Sequence, residues 1–203
     1  MIIQKEEKGA FYKPPFFISY LITDPEIFGN SVEVFEKTLT KTLELHSVDI
    51  ICFRDKTSPN KEQLALLCLT IARKFAINKV LINSDVNLCN KYKFDGIHLN
   101  SQQFNLLSEM KRANLYTIIS CHNEQEIIFA KNDGADAITY SPIFFKEHKG
   151  IPKGIDNLKL IIDKYQNESF SIIALGGIID DKHISKVVQT GARGFASIRY
   201  FKV

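Results

Sequence analysis

Short apolar runs alternate with amphipathic stretches along almost the whole chain. The apolar runs lie at residues 16–23, 48–54, 79–83, 96–99, 116–121, 137–141, 171–175 and 194–198. Between them, helical periodicity marks residues 31–46, 60–75, 85–92, 102–113, 124–133, 156–166 and 181–190. Strands that alternate with helices are typical of βαβ units, which build a parallel sheet.

Eight such strands in 203 residues predict an α/β fold, a TIM (β/α)₈ barrel in a single domain over residues 1–203. An open, doubly wound sheet is the alternative that the pattern leaves open. Only a short segment, "RYFKV", follows the eighth strand, so we expect the barrel to lack its last helix. A strip of strand surface would then be uncovered unless residues 1–15 or a partner subunit covers it.

Composition and charge narrow the class of protein. With 45% hydrophobic and 24% charged residues, the chain has the composition of a soluble globular protein. A net charge of +3 argues against binding nucleic acid through phosphate neutralisation. The four cysteines show no C-x-x-C spacing, which favours free thiols in a reducing cytoplasm. The sequence has no signal-peptide core and no apolar run of membrane-spanning length, so we expect a cytoplasmic protein without a membrane partner.

In barrels of this type the ligand binds at the C-terminal ends of the strands, where the βα loops meet. Polar or glycine residues occupy most of these ends: Arg54, Lys56, Asn83, Ser120, Lys146, His148, Lys149, Gly176, Gly177 and Arg199. Cationic side chains and glycine turns before a helix suit a phosphate group. A single lysine is usually solvated surface, and a glycine pair is often only a tight turn. Together they favour a phosphate-bearing substrate.

Two further polar residues have several interpretations. His122, after strand five, is either a hydrogen-bonded structural residue or an acid/base that moves protons near neutral pH. Its neighbour Cys121 points the opposite way by alternation, which argues against a Cys–His nucleophile pair. Asp85, after strand three, could be a metal ligand, a catalytic acid or a helix cap. Its place at the start of a helical pattern favours the cap.

An ordered series of motifs resembles a known family. "YLITD", "FRDK", "GIHL", "SCH", "GADAITYSPIF", "ALGGI" and "GARGFAS" occur in the order found in the thiamine phosphate synthase/TenI superfamily. The resemblance runs from about Ser19 to Ile198 and implies a TIM barrel, often dimeric, that works in thiamine biosynthesis on a thiazole phosphate. Synthases of this family join the thiazole phosphate to an aminopyrimidine diphosphate with magnesium. TenI relatives, as thiazole tautomerases, need no metal and shift protons to aromatise a thiazole carboxylate phosphate.

The resemblance also implies roles for individual residues. His122 matches the family's acid/base. The implied ligands of the thiazole phosphate are Lys146, Glu147, His148, Gly176, Gly177, Ile198 and Arg199. The implied ligands of a carboxylate or diphosphate are Arg54, Lys56, Asn83, Ser120 and Lys149. The family commonly has threonines in the loop 146–148 and a serine in place of Arg199.

Departures from the synthase pattern decide between the branches. Ser84 stands where synthases have a magnesium-binding aspartate, and "NSQQ" (100–103) replaces a run with a second acidic ligand. Cys52 replaces a glutamine. Magnesium prefers carboxylate oxygens, so we expect the TenI branch: a metal-independent thiazole phosphate tautomerase without a cofactor, as a homodimer. A divergent magnesium-dependent synthase and a non-catalytic thiazole or thiamine phosphate-binding regulator are the alternatives.

Overall fold

The computed structural model describes residues 14–147 and 150–203, which form a closed barrel of eight parallel strands. The strands are β1 (Ile18–Ile22), β2 (Ile50–Phe53), β3 (Lys79–Asn83), β4 (Gly96–Leu99), β5 (Tyr116–Cys121), β6 (Ala137–Tyr140), β7 (Ser171–Leu175) and β8 (Gly194–Ser197). They follow one another in chain order, and β8 pairs with β1, with Ser19 level with Phe195. The barrel prediction is confirmed, and the open sheet is wrong because the first and last strands are hydrogen-bonded.

The helices lie between the strands, as the periodicity predicts. They are α1 (Pro25–Phe28), α2 (Val32–Leu45), α3 (Lys61–Lys74), α4 (Val86–Tyr92), α5 (Leu107–Arg112), α6 (Glu124–Asn132), α7 (Gly154–Tyr165) and α8 (Asp181–Gln189). The short α1 was not predicted. It begins where the Asp24 carboxylate accepts a hydrogen bond from the N–H of Glu26 at 3.1 Å, with Pro25 in the first turn. None of the described helices is long and apolar enough to cross a membrane.

Alternation along the strands separates two apolar layers. The barrel interior holds Tyr20, Ile22, Ile50, Cys52, Leu81, Ile118, Ala137, Ile173 and Ala196. Their sequence neighbours, such as Leu21, Ile51 and Ile119, pack outward against the helices. Because side chains alternate between the two faces of a strand, the residue two positions after the last interior residue of a strand points into the mouth. Ser120 is such a residue. All four cysteines are free, as predicted, and all four are buried.

At the end of the barrel opposite the mouth, three aspartates form hydrogen bonds that join neighbouring strands. Asp49, Asp95 and Asp136 each precede an even-numbered strand and accept a backbone N–H from the strand before it, at 2.6–2.7 Å. Asp95 also accepts two hydrogen bonds from the Arg73 guanidinium, at 2.7 and 2.8 Å. These bonds hold the strand register at the end of the barrel that usually serves stability.

Replacing Asp95 by asparagine is expected to reduce the free energy of unfolding at pH 7 by about 1–3 kcal/mol, because a bidentate charged pair is lost. Burial alone would raise the pKa of Asp95, but hydrogen bonds from Arg73 and Val80 outweigh it and hold that pKa below its usual value. The stabilisation that the ionised Asp95 provides is therefore present above the ordinary aspartate pKa of about 3.9. It is lost as the pH falls through the lower pKa of Asp95 in the folded state.

Urea unfolding of the native protein and Asp95→Asn at neutral and strongly acidic pH measures this effect. The difference in unfolding free energy should shrink in acid. Asp133→Asn, a change at an exposed acid, is the control and should have little effect at either pH. An Asp95→Asn effect that is equal at both pH values would contradict the prediction.

No helix follows β8 within the described residues, as the sequence predicts. The turn at Tyr200 and Phe201 occupies part of the space instead. Phe201 is fully buried and stacks on Phe195 with ring centroids 5.9 Å apart, and its carbonyl accepts from the Thr42 hydroxyl at 3.3 Å. Phe17 stacks on Phe195 at 6.0 Å. The chain's own aromatic residues therefore cover β8, which sequence analysis did not foresee; residues 1–13 lie outside the described residues.

Candidate functional site

A cavity of about 370 Å³ opens at the mouth of the barrel, between the loops after β1, β6, β7 and β8. All of the predicted thiazole-phosphate residues that the structure describes line it: Lys146, Glu147, Gly176, Gly177, Ile198 and Arg199. Its volume is typical of sites for small ligands. Two other predicted residues, His148 and Lys149, lie outside the described residues.

The turn after β7 requires glycine at two positions, because of its backbone conformation and because there is no room for a side chain. Gly176 and Gly177 have φ values of +98° and +73°, in the left-handed region that favours glycine. A Cβ atom on Gly176 would lie 2.8 Å from the Cα of Pro142, and one on Gly177 would lie 2.7 Å from the Phe145 carbonyl oxygen. The loops after β6 and β7 therefore pack backbone against backbone, and they form one wall of the cavity.

The cavity carries charges of both signs. Arg199 is exposed at its rim and has no ion-pair partner within residues 14–147 and 150–203. Lys146 is half-buried beside it. Asp24 and Glu26, which sequence analysis did not select, line the same cavity from the loop after β1. The acids of the lining therefore come from the loop after β1, and its cations Lys146 and Arg199 come from the loops after β6 and β8.

Arg54 lies at the end of β2 and forms an ion pair with Asp24, to which its Nη1 donates. The buried Thr23 hydroxyl accepts from the Arg54 N–H at 2.8 Å and anchors its backbone. Lys56 lies beyond the end of β2 at Phe53 and is exposed in the following loop. The signal for Asp24 was available in the sequence: an acid directly after the first strand.

A polar cluster on the barrel axis forms the floor of the mouth. The buried His98 ring has its Nδ1 2.8 Å from the Tyr20 hydroxyl and its Nε2 3.1 Å from the Ser120 hydroxyl and 3.3 Å from that of Thr139. Burial, and then the charge of Arg54, lowers the pKa of His98 to about 4. The imidazole is therefore neutral near pH 7 and orients Ser120, one of the predicted anion ligands.

His122 is exposed at the mouth after β5, next to the end of β6. Its Nδ1 lies 3.1 Å from the Ser141 carbonyl oxygen and 3.2 Å from the Ser141 hydroxyl. A carbonyl only accepts, whereas a hydroxyl takes either role, so we assign the proton to Nδ1. Nε2 then has a lone pair and makes no hydrogen bond to another described residue. The residue lies outside the cavity lining, on a neighbouring strand end.

The ends of β3 and β4 meet at Ser84. This serine has a φ of +62°; its hydroxyl accepts from Asn100 Nδ2 at 3.1 Å and its carbonyl from Gln103 Nε2 at 3.1 Å. The resemblance places two magnesium-binding acids at these strand ends. Among the described residues, no group of three or more His, Cys, Asp or Glu side chains could hold a metal ion. Amide and hydroxyl groups that already bond to each other do not fit magnesium, which prefers carboxylate oxygens.

Asp85 is the cap of α4, as predicted. Its Oδ1 accepts from the N–H of Leu88 at 3.0 Å, and its Oδ2 accepts from Lys61 Nζ at 2.7 Å. Both carboxylate oxygens are thus engaged within the fold. Asn83, a predicted ligand residue, uses its Nδ2 to donate to the His98 carbonyl at 3.0 Å.

Known proteins resemble the chain over nearly its whole length. The family TMP-TENI, described as thiamine monophosphate synthase, matches residues 19–201. A putative thiamine-phosphate synthase 2 from Aquifex aeolicus is 33% identical over 189 residues, covering 90% of this chain and 96% of that relative. A thiamine-phosphate synthase from Caldicellulosiruptor bescii is 25% identical over 181 residues, covering 85% of this chain and 82% of the relative.

Solved structures agree on the fold. The thiamine phosphate pyrophosphorylase from Pyrococcus furiosus superposes with a TM-score of 0.76 at 20% identity, covering 92% of this chain and 91% of that chain. The family match includes all eight strands except the first residue of β1. The chain therefore belongs to the thiamine phosphate synthase/TenI family, whose enzymes work in thiamine biosynthesis.

Proposed function

We propose that the protein is a metal-independent isomerase that tautomerises a phosphate-bearing thiazole carboxylate. One observation carries this proposal. Ser84, Asn100 and Gln103 form a neutral hydrogen-bonded cluster where the resemblance places the two magnesium-binding acids of a synthase. An isomerase of the TenI type needs neither that metal nor a leaving group, so it is the member of the family that these residues suit.

In this proposal His122 moves the proton. Nε2 takes a proton from the saturated ring carbon of the substrate, the double bonds shift so that the ring becomes aromatic, and the imidazolium returns the proton to the carbon outside the ring where the conjugated double bond ended. No atoms are gained or lost, and no oxidant is required. The Ser141 carbonyl keeps the proton on Nδ1, which leaves Nε2 as the base and stabilises the imidazolium.

Anion binding divides between two parts of the mouth. The phosphate lies against Lys146, Arg199 and the Gly176–Gly177 turn, which line the cavity together. The carboxylate lies against Arg54 and the Ser120 hydroxyl. The other predicted anion ligands, Lys56, Asn83, His148 and Lys149, remain predictions, as do the homodimer and the cytoplasmic location.

A divergent thiamine phosphate synthase is the second candidate. It is favoured by the relatives themselves, since those from Aquifex aeolicus and Caldicellulosiruptor bescii both carry the name thiamine-phosphate synthase. A synthase would have to stabilise the departing pyrophosphate with cations alone or with a weakly held metal. A thiazole or thiamine phosphate-binding regulator is the third candidate.

Purified protein incubated with the thiazole carboxylate phosphate tautomer tests the proposal. We expect isomerisation at the same rate with magnesium and with a chelator, with one solvent deuterium entering the product in heavy water. Magnesium-dependent formation of thiamine phosphate after addition of the aminopyrimidine diphosphate would instead favour the synthase. Tight binding without turnover under any of these conditions would favour the regulator.

A double substitution, Ser84→Asp with Asn100→Asp, tests whether the absence of carboxylates at these strand ends is what makes the protein independent of magnesium. It places a carboxylate at the end of β3 and another at the end of β4, at positions whose side chains are hydrogen-bonded at 3.1 Å in the native protein. Calorimetric titration with magnesium and inorganic pyrophosphate should show magnesium-dependent binding in the variant that the native protein lacks. Equal magnesium dependence in both proteins would contradict the proposal.

A further inference from the structure

A chain of hydrogen-bonding side chains runs from the barrel interior to the floor of the mouth. Tyr20 is fully buried, and its hydroxyl lies 2.8 Å from Nδ1 of the buried His98. On the other side of the imidazole, Nε2 lies 3.1 Å from the hydroxyl of Ser120. Ser120 is half-buried and points into the mouth. The chain therefore connects a buried phenol to one of the predicted anion ligands.

The direction of these hydrogen bonds follows from the donors and acceptors that are present. Burial, and then the charge of Arg54, lowers the pKa of His98 to about 4, so near pH 7 the imidazole has one N–H and one lone pair. The Tyr20 hydroxyl is shielded from solvent and needs an acceptor inside the barrel. The acceptors beside it are Nδ1 of His98 and the Cys52 sulfur, and sulfur is the weaker of the two. Tyr20 therefore donates to Nδ1, which places the imidazole proton on Nε2.

This tautomer decides what Ser120 offers to a ligand. Nε2 donates to the Ser120 oxygen, and the buried Thr139 hydroxyl lies 3.4 Å from the same oxygen, where it also donates. The serine's own proton is then left to donate, and no residue within 14–147 and 150–203 accepts it. In the opposite tautomer Nε2 would accept the proton of Ser120, the nearer hydroxyl, and only oxygen lone pairs would face an anion.

We propose that Tyr20 is a positioning residue that fixes the tautomer of His98, so that Ser120 presents a proton to the anionic group of the ligand. Tyr20 does not touch the ligand in this role and acts only through His98. That the anionic group is a carboxylate rests on the proposed function. The tautomer and the direction of donation do not rest on it, because they follow from contacts inside the barrel.

The tautomer is measured directly by ¹⁵N NMR of the full chain at pH 7 without ligand, with the His98 signals assigned by triple-resonance experiments. Protonated and unprotonated ring nitrogens differ widely in chemical shift. We expect the native protein to carry the proton on Nε2. In Tyr20→Phe, whose ring fills the same space, we expect both tautomers, because the hydroxyl that selects one of them is gone. A proton on Nδ1 in the native protein, or an unchanged tautomer in Tyr20→Phe, would overturn the inference.

Binding measures the consequence for the ligand. The probes are the thiazole carboxylate phosphate and, separately, inorganic pyrophosphate without metal, each titrated by calorimetry. We expect Tyr20→Phe to bind the probe that reaches Ser120 roughly fivefold more weakly, the usual effect of losing one hydrogen bond. In a Ser120→Ala background the same substitution should have no further effect, because the hydroxyl that Tyr20 prepares is absent. An equal loss in both backgrounds would overturn the inference.

Tyr116→Phe is the matched control. It removes a phenol hydroxyl from the first residue of β5, at the end of the barrel opposite the mouth. Both the tautomer of His98 and the affinity for the two probes should stay as in the native protein. A shift of the His98 tautomer in Tyr116→Phe as large as that in Tyr20→Phe would contradict a specific role of Tyr20.

The outcome is separable from that of the proposed function. A loss of pyrophosphate affinity in Tyr20→Phe, in a protein without isomerase activity, would reject the isomerase and keep the role of Tyr20. Isomerisation by a native protein whose His98 carries its proton on Nδ1 would reject the role of Tyr20 alone.

Discussion

Replacing His122 by alanine is expected to lower kcat of the proposed isomerisation by about 10²–10⁴-fold, with little change in substrate affinity. The reason is that Nε2 is the base of the proposed reaction, whereas the anionic groups of the substrate are held elsewhere, at Arg54, Lys146 and Arg199. Steady-state kinetics on the thiazole carboxylate phosphate measures both constants. The same substitution should also stop the entry of solvent deuterium into the product.

Ser141→Ala is the matched control, because it tests whether the hydroxyl of Ser141 is needed to keep the proton on Nδ1 of His122. Its hydroxyl lies 3.2 Å from His122 Nδ1, but the backbone carbonyl at 3.1 Å remains after the substitution. We therefore expect kcat to fall by only a few-fold, ~1 kcal/mol of barrier at most. A loss in Ser141→Ala as large as that in His122→Ala would show that the hydroxyl sets the tautomer. Retention of activity in His122→Ala would remove this residue from the mechanism.

Replacing Phe201 by alanine is expected to reduce the free energy of unfolding by about 3–5 kcal/mol. This ring is fully buried, stacks on Phe195 and contacts the edge of His46 at a centroid distance of 5.5 Å. Its removal would leave a cavity on the outer face of β8, where no helix of the described chain can move in to fill it. Chemical denaturation monitored by circular dichroism measures the loss.

Val203→Ala is the control, because it removes apolar atoms from the same segment at a position that is exposed. It should change stability by about 0.5 kcal/mol or less. A loss below about 1 kcal/mol for Phe201→Ala, well short of the usual cost of truncating a buried phenylalanine, would mean that something else covers this strip. Residues 1–15 and a partner subunit are the covers that the sequence analysis considered.

The barrel was predictable because its signals are local. Each strand is a short, mostly apolar run, and each long helix carries an apolar face. Several helices also have a capping residue at their start, such as Ser31 for α2 and Asp85 for α4. Eight repeats of one unit leave few other arrangements for the sheet. The short helix α1 escaped prediction because four residues carry no periodicity. Only its Asp24–Pro25 start marks it.

Part of the candidate site was also predictable. Strand alternation and the position of strand ends selected residues that now line one cavity, among them Gly176, Gly177 and Arg199. Lys56, selected in the same way, lies beyond the end of β2 at Phe53, and its part in ligand binding stays a prediction. His122 was selected as well, but its hydrogen bond to Ser141, at the end of the neighbouring strand, was not predicted.

The sequence by itself therefore determined the barrel, the order of its strands and part of the set of residues at the mouth. Apolar residues recur every second residue in strands and about every 3.6 residues in helices. Each of these patterns lies within a single element, so no distant contact is needed to detect it. Only the tertiary structure decided the partners: Asp24 with Arg54, Asn100 with Ser84, His98 with Tyr20. These pairs lie 16 to 78 residues apart in the chain. Pairing of neighbouring strands brings the first two within hydrogen-bonding distance, and closure of the barrel brings His98 to Tyr20.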